Sequence, residues 1–327
     1  MTRNQLFKRV AAAAITACCA LPATTAWGQA YPSRQIKLVV PFSPGGLPDT
    51  VARILSTRLQ ESLGQPVIVE NKPGGSGAIA AATITQSPAD GYTFLVTDGS
   101  SLAIAPLISK SITFDTERDF TPVSLIGTAP LFLAVNSKVP AKNLDEFIAL
   151  AKSKPGAMNY GSAGNGSIHH LTAEAMKQGL GIFITHIPYR GSGTSVPAMV
   201  GGDVEMVFAS PPSLMGFVKN GQARLLAINS PKRSQLAPEV PALSERIKGF
   251  DFAFNVAMLA KAGTPPDVVQ RVSTEVAKIV KRPDVIDQLA VAGVEAVGGT
   301  PAQLARALKD EAGRVTAAAK HANLRPD

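Results

Sequence analysis

The chain has 327 residues, and 32 lysines and arginines against 24 acidic residues give it a formal net charge of +8. Arg3, Lys8 and Arg9 sit ahead of an apolar N-terminal run, and removing those three leaves about +5, scattered apart from pairs such as Lys232-Arg233 and Lys281-Arg282, which argues against a nucleic-acid track. Both cysteines, Cys18 and Cys19, and the single tryptophan, Trp27, lie in the same stretch, so its removal leaves no disulfide, thiolate metal site or cysteine nucleophile.

Val10 to Leu21 is too short to span a bilayer and, with basic residues before it, reads as an export signal. Small residues at Gly28-Gln29-Ala30 place the cut after Ala30, with Thr24-Thr25-Ala26 as a second site. A lipoprotein box at Ile15-Thr16-Ala17-Cys18, with the chain then anchored through Cys18, is the third possibility. No later stretch is long and unbroken enough to cross a membrane. The roughly 300 residues that remain suffice for two ordinary domains.

Ile36 to Val40 reads as a buried strand, and Val51, Ile54, Leu55, Leu59 and Leu63 recur at helical spacing up to a stop at Gly64. Between them lies Pro41-Phe42-Ser43-Pro44-Gly45-Gly46-Leu47-Pro48-Asp49. Pro48 suits a first helical turn and Asp49 its positive end, while Gly45 and Gly46 leave backbone N–H groups open to a carboxylate or phosphate. A plainer reading, that the glycines only make a tight strand-to-helix turn, stays open on this stretch alone.

Val67–Glu70 is the next strand, followed by a glycine-rich loop, a helix near Ala78–Thr85 and the strand Thr93–Val96. Pro122–Ile126 and Leu131–Val135 read as strands, and Asn143-Leu144-Asp145-Glu146 as a capping box opening a helix to about Ser153. Met158–Gly161 leads into the loop Ser162-Ala163-Gly164-Asn165-Gly166-Ser167 and a helix from Ile168 to Gln178. The same grammar recurs at Phe183–Tyr189 before Arg190-Gly191-Ser192-Gly193-Thr194-Ser195, and at Val204–Ala209 before Ser210-Pro211-Pro212-Ser213. Strands at Leu225–Ile228 and Phe252–Leu259 and helices at Pro265–Lys281, Asp284–Val291 and Pro301–Ala322 complete the chain. The alternation predicts α/β layers on a mainly parallel sheet, with the helix-starting loops at the carboxyl edge where ligands bind.

Gly75-Ser76-Gly77-Ala78-Ile79-Ala80, with Asp98 about twenty residues on, imitates a dinucleotide fingerprint. Asn71-Lys72-Pro73-Gly74 separates it from its strand, where that motif has a tight turn, and an exported protein has no nicotinamide pool; an exported dinucleotide-binding oxidoreductase is therefore only the runner-up. There is no nucleophile elbow, no phosphate-loop Gly-Lys-Ser/Thr and no His-Glu-x-x-His. His169 and His170, adjacent on a helix, project about 100° apart and are poorly placed to share a metal. His170 is expected to be oriented by Glu174, and His169 to be at the surface. Ser162, Ser167, Ser192, Thr194 and Ser210 lack an evident base; each alone suits a cap or turn, and together they look like a donor-lined pocket that binds without transforming.

These residues resemble, in order along the whole mature chain, the periplasmic solute-binding receptors of tripartite tricarboxylate transporters, the Bordetella uptake gene (Bug) family. The resemblance rests on Tyr31–Ile36, Pro41–Asp49, Val69–Gly74, Pro88–Thr93, Gly164–Ser167, His170-Leu171, Pro188–Gly191, Lys232–Ser234 and Ala262–Pro266. It implies a two-lobed periplasmic-binding-protein (flytrap) fold with a signal peptide at 1–30, one lobe from 31–130 plus 249–327 and the other from 131–248. It also implies a periplasmic monomer without catalysis or cofactor, passing a small organic anion to the transporter's membrane subunits or, alternatively, sensing it for a membrane kinase. By the same resemblance the ligand meets Phe42, Ser43, Pro44, Gly45, Gly46, Asp49, Thr97 and Asp98 from one lobe. From the other it meets Ser162, Ala163, Gly164, Asn165, Gly166, Ser167, His170, Arg190, Gly191, Ser192, Ser210 and Pro211.

Three positions depart from the family pattern. Ala209 stands where members that recognise amino acids often have an acidic residue, so a ligand without an amino group, a di- or aromatic carboxylate, is expected. Asp98 replaces a more usual neutral residue and offers an acceptor to a hydroxyl or ammonium. Asn255 replaces a common tryptophan and is expected to reshape the cleft or hinge.

Overall fold

The computed structural model describes residues 31–324 apart from 43, 75, 76, 111 and 236. The expected signal segment, Ser43 and the Gly75-Ser76 pair of the dinucleotide-like stretch lie outside the described residues. Three strands open the first sheet: β1 (Ile36–Val40), β2 (Val67–Asn71) and β3 (Thr93–Asp98), with β1 pairing in parallel to both others. Each runs into a helix: α1 (Leu47–Leu63), α2 (Ala78–Gln86) and α3 (Gly99–Ile108). α1 stops at Gly64, which turns left-handed at φ 69° and returns its N–H to Gln60. After the single turn α4 (Thr116–Asp119), β4 (Phe120–Ala129) crosses to the far side of this sheet.

The second sheet repeats the arrangement. β6 (Asn159–Ser162), β7 (Thr185–Pro188) and β8 (Met206–Ala209) pair in parallel around β6 and feed α6 (Ile168–Leu180), α7 (Ser192–Gly201) and α8 (Pro211–Lys219). β5 (Phe132–Asn136), which precedes α5 (Leu144–Ser153), and β9 (Ala223–Ile228) complete it in the order β7-β6-β8-β5-β9. The chain then returns to the first sheet with β10 (Phe254–Lys261), α9 (Pro266–Ile279), α10 (Pro283–Val291), β11 (Glu295–Gly299) and α11 (Pro301–His321), giving the order β11-β4-β10-β3-β1-β2.

The fold is α/β with two lobes, and within that class the pairings are mixed, four parallel and five antiparallel among the described residues. Parallel pairs occur where a helix carries the chain back over the sheet; β4, β5, β9, β10 and β11 instead enter antiparallel. β10 is buried from Phe254 to Ala260 between β3 and β4, so residues late in the chain complete the first core, where Leu259 packs with Val39, Leu95 and Leu304.

The chain passes between sheets at 129–132 and 228–254, and Asn229 ties these passages together. It is fully buried, and its backbone N–H donates to the Leu131 carbonyl at 3.0 Å while its carbonyl accepts from Phe252 N–H at 2.8 Å. Its side chain accepts from Leu131 N–H and donates to Phe252 carbonyl oxygen, both at 2.7 Å. The capping box of α5 closes one residue early: Asn143 accepts from Glu146 N–H, but Glu146 reaches back to Lys142 N–H at 2.7 Å.

Gly127, in β4, has no room for a side chain: a Cβ would lie 2.5 Å from the Glu295 carbonyl oxygen and 2.6 Å from Val294 Cγ1. Because the nearest atom is backbone, Gly127→Ala must push β11 away from β4. Its expected cost is about 1–3 kcal/mol, read as a drop in melting temperature with the ligand affinity of the folded protein unchanged.

A candidate anion-binding cleft

All six strand-to-helix junctions of the parallel segments open on one cleft of about 1010 Å³. From the first sheet it is lined by Phe42, Pro44, Gly45 and Gly46 before α1, Gly74 and Gly77 before α2, and Thr97 and Asp98 before α3. Facing them are Ala163, Asn165, Gly166 and Ser167 before α6, Arg190, Gly191 and Ser192 at α7, and Ser210 before α8. Parallel strands share a direction, so their carboxyl ends, and the helix starts that follow, gather on one edge.

The field of the cleft comes mainly from the backbone. α1 and α7 begin at Gly46 and Gly191 with no side-chain cap, so their first-turn N–H groups face an incoming anion with the positive end of each helix behind them. α8 begins at Ser210 with prolines next, which supply no N–H, and it offers hydroxyls of Ser210 and Ser213 instead. α3 is capped from within: Asp98 accepts from Ser101 N–H at 2.7 Å and Ser101 Oγ at 2.9 Å. Among the described residues, Arg190 is the one cationic side chain in the lining and Asp98 the one acidic side chain; burial pushes the Asp98 carboxyl above its ordinary range.

Five expected contact residues stand behind the lining. Asp49 is 2% exposed and grips its own loop: Oδ2 accepts from Gly45 N–H at 2.8 Å and from Arg53 Nε at 3.0 Å, while Oδ1 accepts from Asn71 Nδ2 at 2.8 Å. Asn71 Nδ2 also donates to the Phe42 carbonyl at 2.9 Å, so both ends of the loop are tied to one carboxylate. Burial works to raise the Asp49 carboxyl, but the bonds from Arg53, Gly45 and Asn71 outweigh it and hold it below the usual carboxylate range.

Ser162, Gly164 and His170 shape the opposite loop. Ser162 Oγ lies 2.6 Å from His186 Nε2 and accepts from Gly164 N–H at 3.0 Å; Gly164 carbonyl in turn accepts from Ser167 Oγ at 2.7 Å. His170 Nδ1 accepts from Gly166 N–H at 3.1 Å, so its proton sits on Nε2, and its ring stacks on His186 with centroids 4.0 Å apart. Glu174 does not orient His170, contrary to expectation: it takes the Tyr160 hydroxyl at 2.5 Å and Lys177 Nζ at 2.7 Å. Nor is His169 a surface residue. It lines the cleft beside Ser192, Nε2 to Oγ 3.1 Å, and burial pushes its imidazole down to about 4. Pro211 turns away to pack on Gly293, whose Cβ would lie 2.9 Å from its Cδ, and Pro212 takes its place in the lining.

The departures sort differently from expectation. Ala209 is buried in the second core and leaves the cleft without a carboxylate there. Asn255 does not enter the lining; it bonds Glu311 beneath α3. Ser100, Ser101, Gln288 and Val291 of α10, and Ala292 just past its end, line the cleft without having been expected there.

Residues 51–324 match the family described as tripartite tricarboxylate transporter family receptor. The chain belongs to this family. The receptor is 36% identical over 285 residues to protein BugT of Bordetella pertussis, covering 86% of this chain and 87% of BugT. Among solved structures, Rpa4515 of R. palustris with adipate is 32% identical with a TM-score of 0.80, over 91% of the receptor and 100% of that chain. MatC of Rhodopseudomonas palustris with bound malate is 27% identical with a TM-score of 0.74, over 88% and 99%. Among the described residues of the receptor, no helix is long and apolar enough to cross a membrane, and no three metal-ligating side chains cluster.

Proposed function

We propose that the receptor captures a small dicarboxylate in this cleft and hands it to the membrane subunits of a tripartite transporter. The observation that carries the reading is the opposition of two uncapped helix starts, Gly46 on α1 and Gly191 on α7, with Arg190 beside the second. The first holds one carboxylate on backbone N–H groups; the second, with a guanidinium, holds the other. The malate and adipate held by two relatives have this two-ended form. Lobes at 31–130 plus 249–327 and at 131–248 then close about the passages tied by Asn229, exclude water and present a joined surface to the membrane partner. Export through residues 1–30 places the monomeric receptor in the periplasm. In this reading the acid leaves the cleft unchanged.

A thermal-shift screen against mono-, di- and tricarboxylates, aromatic acids and amino acids tests the class, since a ligand at a hundred times its Kd stabilises by about 2.7 kcal/mol. Dicarboxylates are expected to raise the melting temperature most; a response to amino acids alone overturns the reading. Arg190→Ala is expected to weaken a dicarboxylate roughly 10- to 100-fold, the worth of one charge-assisted bond. It should change a monocarboxylate of equal length much less, and equal losses on both in calorimetry would place Arg190 outside the ligand's reach.

A further inference from the structure

Behind the wall that Asp98, Ser100 and Ser101 give the cleft lies Glu311 of α11, 2% exposed. Its Oε1 accepts from Ser100 Oγ at 2.5 Å and its Oε2 from Asn255 Nδ2 at 2.7 Å. A Cβ on Gly99 would lie 2.2 Å from Oε2, so the first turn of α3 rests directly on this carboxyl. Asp98, 8% exposed, caps the same turn from the cleft side. Two buried carboxyls thus flank one helical turn, every donor to them is neutral, and among the described residues neither has an ion-pair partner.

The surrounding charges do not relieve the pair. α3 and β4 carry no ionisable side chain, and Lys261 at the end of β10 is bonded to the Ser87 carbonyl. On α11, Arg306, Lys309 and Asp310 are exposed and Arg314 faces Asp251 at 3.3 Å. α6 brings neutral His169 and His170 and the mutually paired Glu174 and Lys177. Burial, reinforced by the charge of Asp98, pushes Glu311 up to about 7.

We propose that the receptor takes up its anion together with a proton, and that the proton is held on the Glu311 carboxyl. An anion arriving beside Asp98 adds a third negative charge to a desolvated cluster without a cation, and protonation is the least costly way to relieve it. Ser100 Oγ is the partner able to reverse its bond: once Oε1 is protonated it donates to Ser100 Oγ, while Asn255 still donates to Oε2. The Ser100 hydroxyl, fully buried in the wall, then accepts where it had donated. Protonation of Glu311 so converts Ser100 from a donor to the carboxylate into an acceptor from the carboxylic acid.

The inference rests on the carboxylate reading above, and calorimetry of the purified receptor with adipate, in two buffers of different ionisation enthalpy at pH 8, separates the two. Wild type is expected to take up most of one proton, and its Kd to be flat below about pH 6 and to rise up to tenfold per unit above about pH 7. Glu311→Gln, isosteric with the protonated form, should bind without proton uptake and with a Kd independent of pH. Ser100→Ala, which removes a donor to the ionised form, should move the break in Kd to higher pH. Adipate binding without proton uptake, or uptake that persists in Glu311→Gln, overturns this inference alone. Failure of adipate and every other acid to bind at any pH overturns both.

Discussion

Gly46→Phe is expected to abolish carboxylate binding, at least 100-fold in Kd, while the ligand-free protein keeps its melting temperature to within about 2 °C. Gly46 sits at φ −71° and ψ 165°, an extended conformation open to any residue, so the substitution carries no backbone strain. Gly45, at φ 86°, is different, and a side chain there would cost stability as well. What Gly46 supplies is access: an anion must bring its oxygens to about 2.9 Å from the first-turn amides of α1, and a benzyl group at the cap occupies that approach. Two charge-assisted bonds at about 1.5–3 kcal/mol each set the scale of the loss. The readout is calorimetric Kd alongside circular dichroism; a folded variant with wild-type affinity would remove the anion site from the start of α1.

Much of this architecture is legible in the sequence because it is local. β1 lies at Ile36–Val40 and α1 ends at Gly64, as the apolar spacing and the glycine stop predict. The loops before α1, α6, α7 and α8 are marked by glycine, serine and proline, the residues that punctuate a strand-to-helix turn. α3 escapes notice because Gly99, Ser100, Ser101 and Pro106 dilute its helical pattern, and its stability comes instead from the Asp98 cap and from Glu311 beneath it. The roles of His169 and His170 depend on which helical face meets His186, a partner on a different strand, and one position of rotation exchanges them. Asn229 and Glu311 act across separations of 98 and 211 residues, through hydrogen bonds that no sequence window contains. The antiparallel entry of β10 is equally non-local, since its neighbours β3 and β4 precede it by more than a hundred residues.

Asp49→Ala is expected to weaken every carboxylate by at least tenfold, mono- and dicarboxylates alike, and to cost about 2–4 kcal/mol of stability. The carboxylate does not line the cleft, so its effect on the ligand passes through the loop it holds. Removing it leaves Gly45 N–H without its acceptor and Asn71 Nδ2 with the Phe42 carbonyl alone, which frees Gly45 and loosens the hold on Phe42, so the amides of α1 lose their fixed aim. Asp49→Asn is no remedy, because Gly45, Arg53 and Asn71 are all donors, and either orientation of the amide sets its NH2 group against one of them. The pH dependence follows from the sign of the shift. Folding holds the Asp49 carboxyl below its ordinary value, so its stabilisation is present above the unfolded-state pKa and is lost as pH falls through the lowered one. The wild-type advantage in melting temperature over Asp49→Ala should therefore be constant from about pH 5 upward and shrink in stronger acid. An advantage that instead declined toward alkaline pH, or a loss of affinity confined to dicarboxylates, would place Asp49 in contact with the ligand rather than beneath the loop.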